Sequence, residues 1–173
     1  CSIRYMNHKQ KQQYFLRLYE PNHSKLLRYC ESILRDPVNA QDLVSETVLV
    51  AYEQLDKLKK EASFNYFLFG IARNLIRRLQ RRKKFWGLFN TEQAENIVAP
   101  TSTALNDDVQ LLYQALDQLP PAQKEALILF EISGYSIKEI AAIQNSSISS
   151  IKARLARGRQ KLGKILSPKT TLP

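Results

Sequence analysis

Gly134-Tyr-Ser-Ile-Lys-Glu-Ile-Ala-Ala-Ile-Gln-Asn-Ser-Ser-Ile-Ser-Ser-Ile-Lys-Ala-Arg-Leu-Ala-Arg-Gly-Arg-Gln-Lys-Leu-Gly-Lys-Ile-Leu166 decides the fold. Ser136 has Glu139 three residues on, a capping box that predicts a short helix over Ile137–Ile143. Ile140, Ala141 and Ile143 give that helix its apolar side. Gln144-Asn145 interrupts it, and Asn tolerates the left-handed backbone that a sharp turn between helices needs. Ser146 or Ser147 then caps a second helix running to about Leu166. Two helices joined by so short a turn make a helix-turn-helix, whose second helix can lie in the major groove of DNA.

The second helix has two sides. At about 100° per residue, Ile148, Ile151, Leu155, Leu162 and Leu166 share one of them. Ser149, Ser150, Ala153, Arg157, Gln160, Lys161 and Lys164 share the other, with Lys152 and Arg154 on the flanks. Small and hydroxyl side chains let a backbone approach base edges, while Arg and Lys reach guanine or phosphate. Taken alone, such a face is also what an ordinary solvated amphipathic helix shows. The capped helix and tight turn before it favour a DNA reader, with Ser149, Ser150, Lys152, Ala153, Arg154, Arg157 and Lys161 as candidate contacts.

The rest of the composition fits a helical DNA-binding protein. A chain of 173 residues holds one or two small domains with cores of their own. With only 5 Gly and few alternating runs, an all-α chain is expected. No apolar run approaches the roughly 20 residues of a membrane span, so no membrane insertion of its own is expected. Cys1 and Cys30 form no metal-ligand spacing, which suits a reducing cytoplasm and implies no metal or other cofactor. Met6 is the expected natural start, leaving the origin of Cys1–Tyr5 open.

The net charge of +10 is unevenly placed. Residues 1–85 carry 17 Lys and Arg against 8 Asp and Glu, and residues 110–173 carry 9 against 4. Between them, residues 86–109 hold 4 acids and no base. Two basic blocks around an acidic connector imply two polyanion-binding modules and a linker that avoids DNA. The expected organisation is a helical domain over 6–85, a flexible linker over 86–108, the helix-turn-helix domain over 109–166 and a tail over 167–173.

In the first domain, helices are expected at about Lys9–Tyr19 and His23–Arg35, split at Glu20-Pro21-Asn22, with Cys30 a core thiol and His8 and His23 on the surface. Asp36-Pro37 ends the second of these. Ala40–Asp56 is the next helix, and Asp42, Glu46 and Glu53 fall within about 40° of one another on it, with Leu49 beside them. That is an acidic stripe with an apolar centre in a basic domain. It reads as a solvated face or as a dock for a basic protein partner, with Leu49 as anchor.

Ser63 should cap a long helix to about Lys84. Its core stripe is Phe64, Leu68, Ile71, Leu75 and Leu79. Its opposite face presents Tyr66, Phe69, Arg73, Arg77, Gln80 and Lys84, rings among bases that suit stacking of unpaired nucleobases. From Phe85 to Asn106 periodicity is lost, and Trp86, Leu88 and Phe89 are left to tuck against a domain or wait for a partner. Val109–Leu119 and Ala122–Ile132, separated by Pro120-Pro121, complete the second domain. Leu112, Leu116, Leu119, Leu127, Ile128, Phe130 and Ile132 should make one core with Ile137, Ile140 and Ile151.

The ordered pair Ala40-Gln-Asp-Leu-Val-Ser-Glu-Thr-Val-Leu-Val-Ala-Tyr52 through Ser63-Phe-Asn-Tyr-Phe-Leu-Phe-Gly-Ile-Ala-Arg-Asn74, and Leu119-Pro-Pro-Ala-Gln-Lys-Glu-Ala-Leu127 through Leu162, resembles bacterial sigma factors of the extracytoplasmic-function (ECF) group. The resemblance covers most of Lys9–Leu166. It implies an all-α protein with region 2-like and region 4-like domains. Asp42, Glu46 and Leu49, with Glu53 beside them, would grip the clamp coiled coil of the large subunit of core RNA polymerase. The Asp56–Asn65 loop and the following helix (Phe64, Tyr66, Phe69, Arg73, Asn74, Arg77) would capture and melt the −10 element of promoter DNA, and the recognition helix would read the −35 element. An anti-sigma factor is implied as a further partner. The family's usual Trp is Phe67 here, a common turn Gly is Asn145, and the usual Pro before the recognition helix is Ser147.

Two other functions are open to such a chain. A free-standing helix-turn-helix regulator would use Gly134–Leu166 but leave the acidic stripe and the aromatic helix idle. A nuclease would need clustered carboxylates or His, and beyond Asp42 and Glu46 the spacing supplies no further ligand. The sequence therefore reads as a non-enzymatic sigma factor.

Overall fold

In the computed structural model, residues 6–89 and 107–167 are described, and every regular element among them is helical. They form two units, α1–α3 and α4–α7. The greater part of the expected linker, residues 90–106, lies outside the described residues. So do the tail beyond 167 and the side chains of Trp86, Leu88 and Phe89, while Asn106 is outside as a cap.

The first unit begins with α1, a single helix over His8–Leu34, where two were expected. Asn7 and Gln10 form a capping box at its start. Pro21 sits inside it. The ring removes the donor to the Arg17 carbonyl, and Asn22 adds a side-chain bond in the same turn, its amide on the Leu18 carbonyl at 2.9 Å. Burial of Phe15 on one side of Pro21, and of Leu26, Tyr29 and Cys30 on the other, holds the helix through the interruption. Arg35 ends it in the left-handed region at φ 57°.

Asp36 caps α2 (Pro37–Glu53) by accepting from the Val38 and Asn39 amides, with Pro37 in the first turn where its missing N–H costs nothing. This cap starts the helix three residues earlier than the apolar spacing suggested. Short 3-10 turns at Leu55–Lys57 and Glu61–Ser63 lead into α3, Phe64–Phe89. The helix extends five residues past Lys84, through the point where apolar periodicity fails. The three helices pack on one another around Leu43, Leu68 and Ala72, with Phe15 edge-on to both Tyr52 (5.5 Å) and Phe64 (5.7 Å).

The second unit runs α4 (Asp107–Asp117), α5 (Pro121–Leu127), α6 (Ile137–Ile143) and α7 (Ile148–Leu166). After α5 the helix widens over Ile128–Ile132, the Ser133 amide bonding the Ile128 carbonyl five residues back. The extra residue in that turn swings Leu129 to 0 % exposure and leaves Phe130 and Ile132 half-buried, against the expected order. Gly134, at φ 73°, closes the segment. Leu116, Leu119, Leu127, Ile128, Ile140 and Ile151 form the core as expected, joined by Tyr135. Leu112 does not join it and stays exposed.

Cys30 is fully buried in the first unit, and burial, reinforced by the carboxylate of Glu31, pushes its thiol up from 9.0 to about 12. In the unfolded chain the thiol ionises from about pH 9. The stabilisation from keeping it neutral is therefore whole below pH 9 and lost as pH rises towards 12. With Cys1→Ser leaving Cys30 as the single thiol, a disulfide reagent at pH 8 should leave the native protein unlabelled and modify it once denaturant is added. Prompt labelling of the folded chain would contradict this burial.

Candidate nucleic-acid interface

The turn between α6 and α7 forms as the side chains dictate. Ser136 and Glu139 exchange bonds across the start of α6, the Ser136 amide donating to Glu139 Oε2 at 2.8 Å and the Glu139 amide to Ser136 Oγ at 3.3 Å. Asn145 supplies the left-handed residue at φ 48°. Ser147, of the two candidate serines, is the cap, accepting from the Ser150 amide at 3.2 Å. Its hydroxyl also pairs with those of Ser149 (3.0 Å) and Ser150 (2.8 Å).

On α7, Ile151 and Leu155 are buried and Gly158 with them. Ile148 and Leu166 were placed on this side by the wheel, but they are 48 % and 46 % exposed. They are the first and last residues of the helix. Gly158 was missed in the sequence. A Cβ there would stand 2.8 Å from Leu127 Cδ1, so the glycine lets α5 and α7 close on each other.

Ser149, Lys152, Arg157 and Lys161 are exposed, and Ser150 and Ala153 half-buried. Arg154 is different. Its Nη1 donates to Gln144 Oε1 at 2.6 Å, back within the fold. Arg159 likewise turns to the protein, making a pair of bonds to Glu131 Oε1 at 2.7 and 3.1 Å while its guanidinium lies over Phe130.

In the first unit the expected stacking face of α3 needs correction. Phe69 is 0 % exposed, its ring 5.3 Å from that of Tyr29, and Phe64 is 2 % exposed. Packing against both α1 and α2 needs a wider apolar face than a single stripe, so Phe69, Ala72 and Ile76 are drawn in, while Ile71 and Leu79 are half-buried. Neither Phe64 nor Phe69 offers a ring to a base. Tyr66 and Arg73 remain half-buried, and Asn74 and Arg77 exposed. Asn74 and Arg77 continue with Gln80, Arg81 and Lys84 along an open concavity of about 390 Å³.

The acidic stripe of α2 is on the surface as expected: Asp42, Glu46 and Glu53 are exposed, and Leu49 is 57 % exposed. Leu49 also lines an apolar groove of about 530 Å³ between α1 and α2, with Phe15, Leu16, Tyr19, Val48 and Tyr52. The buried hydroxyl of Tyr52 has no hydrogen-bond partner. An exposed leucine thus stands among carboxylates, beside an apolar groove.

The family profile of Sigma-70 region 2 matches residues 18–85, and that of Sigma-70 region 4 matches residues 109–162. The ECF RNA polymerase sigma factor EcfG of Rhodopseudomonas palustris is 35 % identical over 132 residues, 73 % of this chain and 71 % of that protein. The chain belongs to the ECF sigma factors. Its function is therefore that of a sigma factor, in transcription initiation, and the free-standing regulator is not favoured. The RNA polymerase sigma-H factor of Pseudomonas aeruginosa is 26 % identical over 83 % of this chain and 81 % of its own length. Among solved structures, the sigma factor RpoE in complex with the anti-sigma factor NepR, from Bartonella quintana, is similar with a TM-score of 0.68 and 26 % identity, over 89 % of this chain and 99 % of that one. CnrH, solved with the cytosolic domain of CnrY, shares the fold with a TM-score of 0.67.

The close approach at Gly158 gives a direct check on the packing of this ECF domain. Gly158→Val places a branched side chain against Leu127 and should lower stability by about 1–3 kcal/mol in urea denaturation, with helix content retained. Unchanged stability would mean that α5 and α7 stand further apart.

Proposed function

We propose that this ECF sigma factor docks on core RNA polymerase through the acidic face of α2 and carries promoter recognition on α3 and α7. The observation that carries the reading is the exposed Leu49 between Asp42, Glu46 and Glu53, in a domain otherwise rich in bases. Charge of one sign around an apolar anchor steers a basic partner and fixes its register, while the leucine supplies desolvated area. The clamp coiled coil of the large subunit is the partner the family implies. An anti-sigma factor is a second protein partner, as the Bartonella quintana relative was solved with one.

In this reading α7 enters the major groove at the −35 element with Ser149, Ser150, Lys152, Ala153, Arg157 and Lys161 facing DNA. The −10 element is taken by Tyr66, Arg73, Asn74 and Arg77 together with the loop before α3. That loop is tied to α1 at both ends, by Lys11 to Asp56 at 3.6 Å and by Arg17 to Glu61 at 2.7 Å. Lys57, Lys59 and Lys60 between those ties are exposed, at hand for a phosphate backbone. The protein works without catalysis of its own. Among the described residues no helix is long and apolar enough to cross a membrane, and the cytoplasm, where the polymerase is, is the proposed location.

Reversing Asp42 and Glu46 to Lys should abolish association with core polymerase in a pull-down while circular dichroism stays unchanged, because both side chains are exposed. Normal yield of the complex would return the stripe to a solvated face.

Of the two rings expected on the outer face of α3, Tyr66 is the one not fully buried, and a stacked base is worth about 1–3 kcal/mol. Tyr66→Ala should leave polymerase and −35 binding intact but slow promoter opening, read by permanganate reactivity of unpaired thymines. Opening at the wild-type rate would move the melting role to the loop.

A further inference from the structure

Glu125 and Gln144 are among the few polar side chains buried in the described residues, at 8 % and 3 % exposure. They lie next to each other by design of the amide. Gln144 Nε2 donates to Glu125 Oε2 at 2.7 Å and to the Ala122 carbonyl at 3.3 Å. With both of its hydrogens directed at α5, the amide can only present its oxygen the other way. There it receives Arg154 Nη1 at 2.6 Å. The result is a chain from a buried carboxylate on α5, through the residue that ends α6, to a guanidinium on α7. A carboxylate at position 144 would face Glu125 with like charge, and an apolar side chain would remove the link between Glu125 and Arg154. Glutamine, with donors at one corner and an acceptor at the other, joins an anion to a cation.

The position of Arg154 on α7 agrees. At about 100° per residue it stands about 70° from the middle of the buried stripe Ile151, Leu155 and Gly158, against about 130° for Arg157. It is half-buried on the flank, while Arg157 is exposed.

We infer that Arg154 is a positioning residue: its bond to Gln144, anchored on Glu125 and the Ala122 carbonyl, sets the rotation of α7 and thereby which base edges Ala153 and Arg157 meet. This rests on α7 being the −35 reader, and it removes Arg154 from the set of reading side chains. Rotation matters more here than affinity. A turn of the helix by a few tens of degrees moves every reading side chain at once, whereas loss of one reader blurs one base pair.

The test is selection from a promoter library with a randomised −35 region, using holoenzyme made from the full chain and bacterial core polymerase. Arg154→Ala and Gln144→Leu should each lower selectivity on the order of tenfold, spread over several base pairs. The slope of binding against salt should stay that of the wild type, since no phosphate contact is lost. The double variant should be no worse than either single one, because both break the same link. Arg154→Lys should keep most of the preference, since the bond to Gln144 uses one donor and not the guanidinium fork. Arg157→Ala should instead blur a single position. Amide hydrogen exchange of the free chain supplies a readout without DNA: the first turn of α7 should exchange faster in Arg154→Ala and in Gln144→Leu.

Loss confined to one base pair in Arg154→Ala, with Gln144→Leu like the wild type, would make Arg154 a base reader and overturn the inference. Unchanged exchange in both variants would overturn it without DNA. A wild-type holoenzyme that selects no −35 sequence would instead sink the reading of α7 on which it rests.

Discussion

Helices of seven residues do not hold themselves together in water, because the cost of the first turn is not recovered over so few bonds. α6 is of that length, and α5 has only seven residues before its widened turn. The second unit therefore depends on what they bury against α7, and that reduces to Ile151 at 0 % exposure, Leu155 at 2 % and the gap left by Gly158. Everything else in the unit is arranged so that this contact can be close. The widened turn at Ile128–Ile132 buries Leu129, Gly134 and Asn145 turn the chain sharply enough to return, and Ser136 and Ser147 satisfy the helix starts so created. The longest helix of the unit is thus both the scaffold for its neighbours and the surface proposed to meet DNA.

The first unit solves the same problem with length. Its helices α1 and α2 are 27 and 17 residues long, enough for each to lay buried residues from at least two turns against its neighbours. A helix so held tolerates an internal proline, since tertiary burial on both sides outweighs one missing bond. It also frees one whole face of α2 for charge. At physiological ionic strength a field from three carboxylates fades over about 8 Å, so in the proposed dock the stripe would act on a partner already near, and Leu49 and the groove beside it would supply contact once it arrives.

Much of this was legible in the residues. The capping box at Ser136, the turn at Gln144-Asn145, the stop at Asp36-Pro37, the core thiol at Cys30 and the exposure of Asp42, Glu46, Leu49 and Glu53 all follow from local rules, and local rules decide them. What the sequence did not disclose depends on neighbours. Pro21 reads as a break until the burial on either side of it is known. Phe69 reads as a solvent-facing ring until α3 is seen to pack against two helices. Arg154 is one of several bases on α7, and its bond to a residue ten positions earlier in the chain appears only when the turn has folded. Gly158 carries no signal other than being a glycine in a helix, which is itself a reason to look for a close approach.

The three serines at the head of α7 divide their labour. The Ser147 hydroxyl holds the backbone of the turn, while the hydroxyl of Ser149 is bonded to another hydroxyl and Ser149 stands exposed. Exchange of one residue at position 149 leaves the cap and its geometry in place. With α7 as the proposed −35 reader, a lineage carrying this turn can therefore drift in promoter preference by single substitutions that leave the cap in place. The separation of the folding hydroxyl from its neighbours makes the head of α7 a place where a regulon can diverge while the protein stays the same.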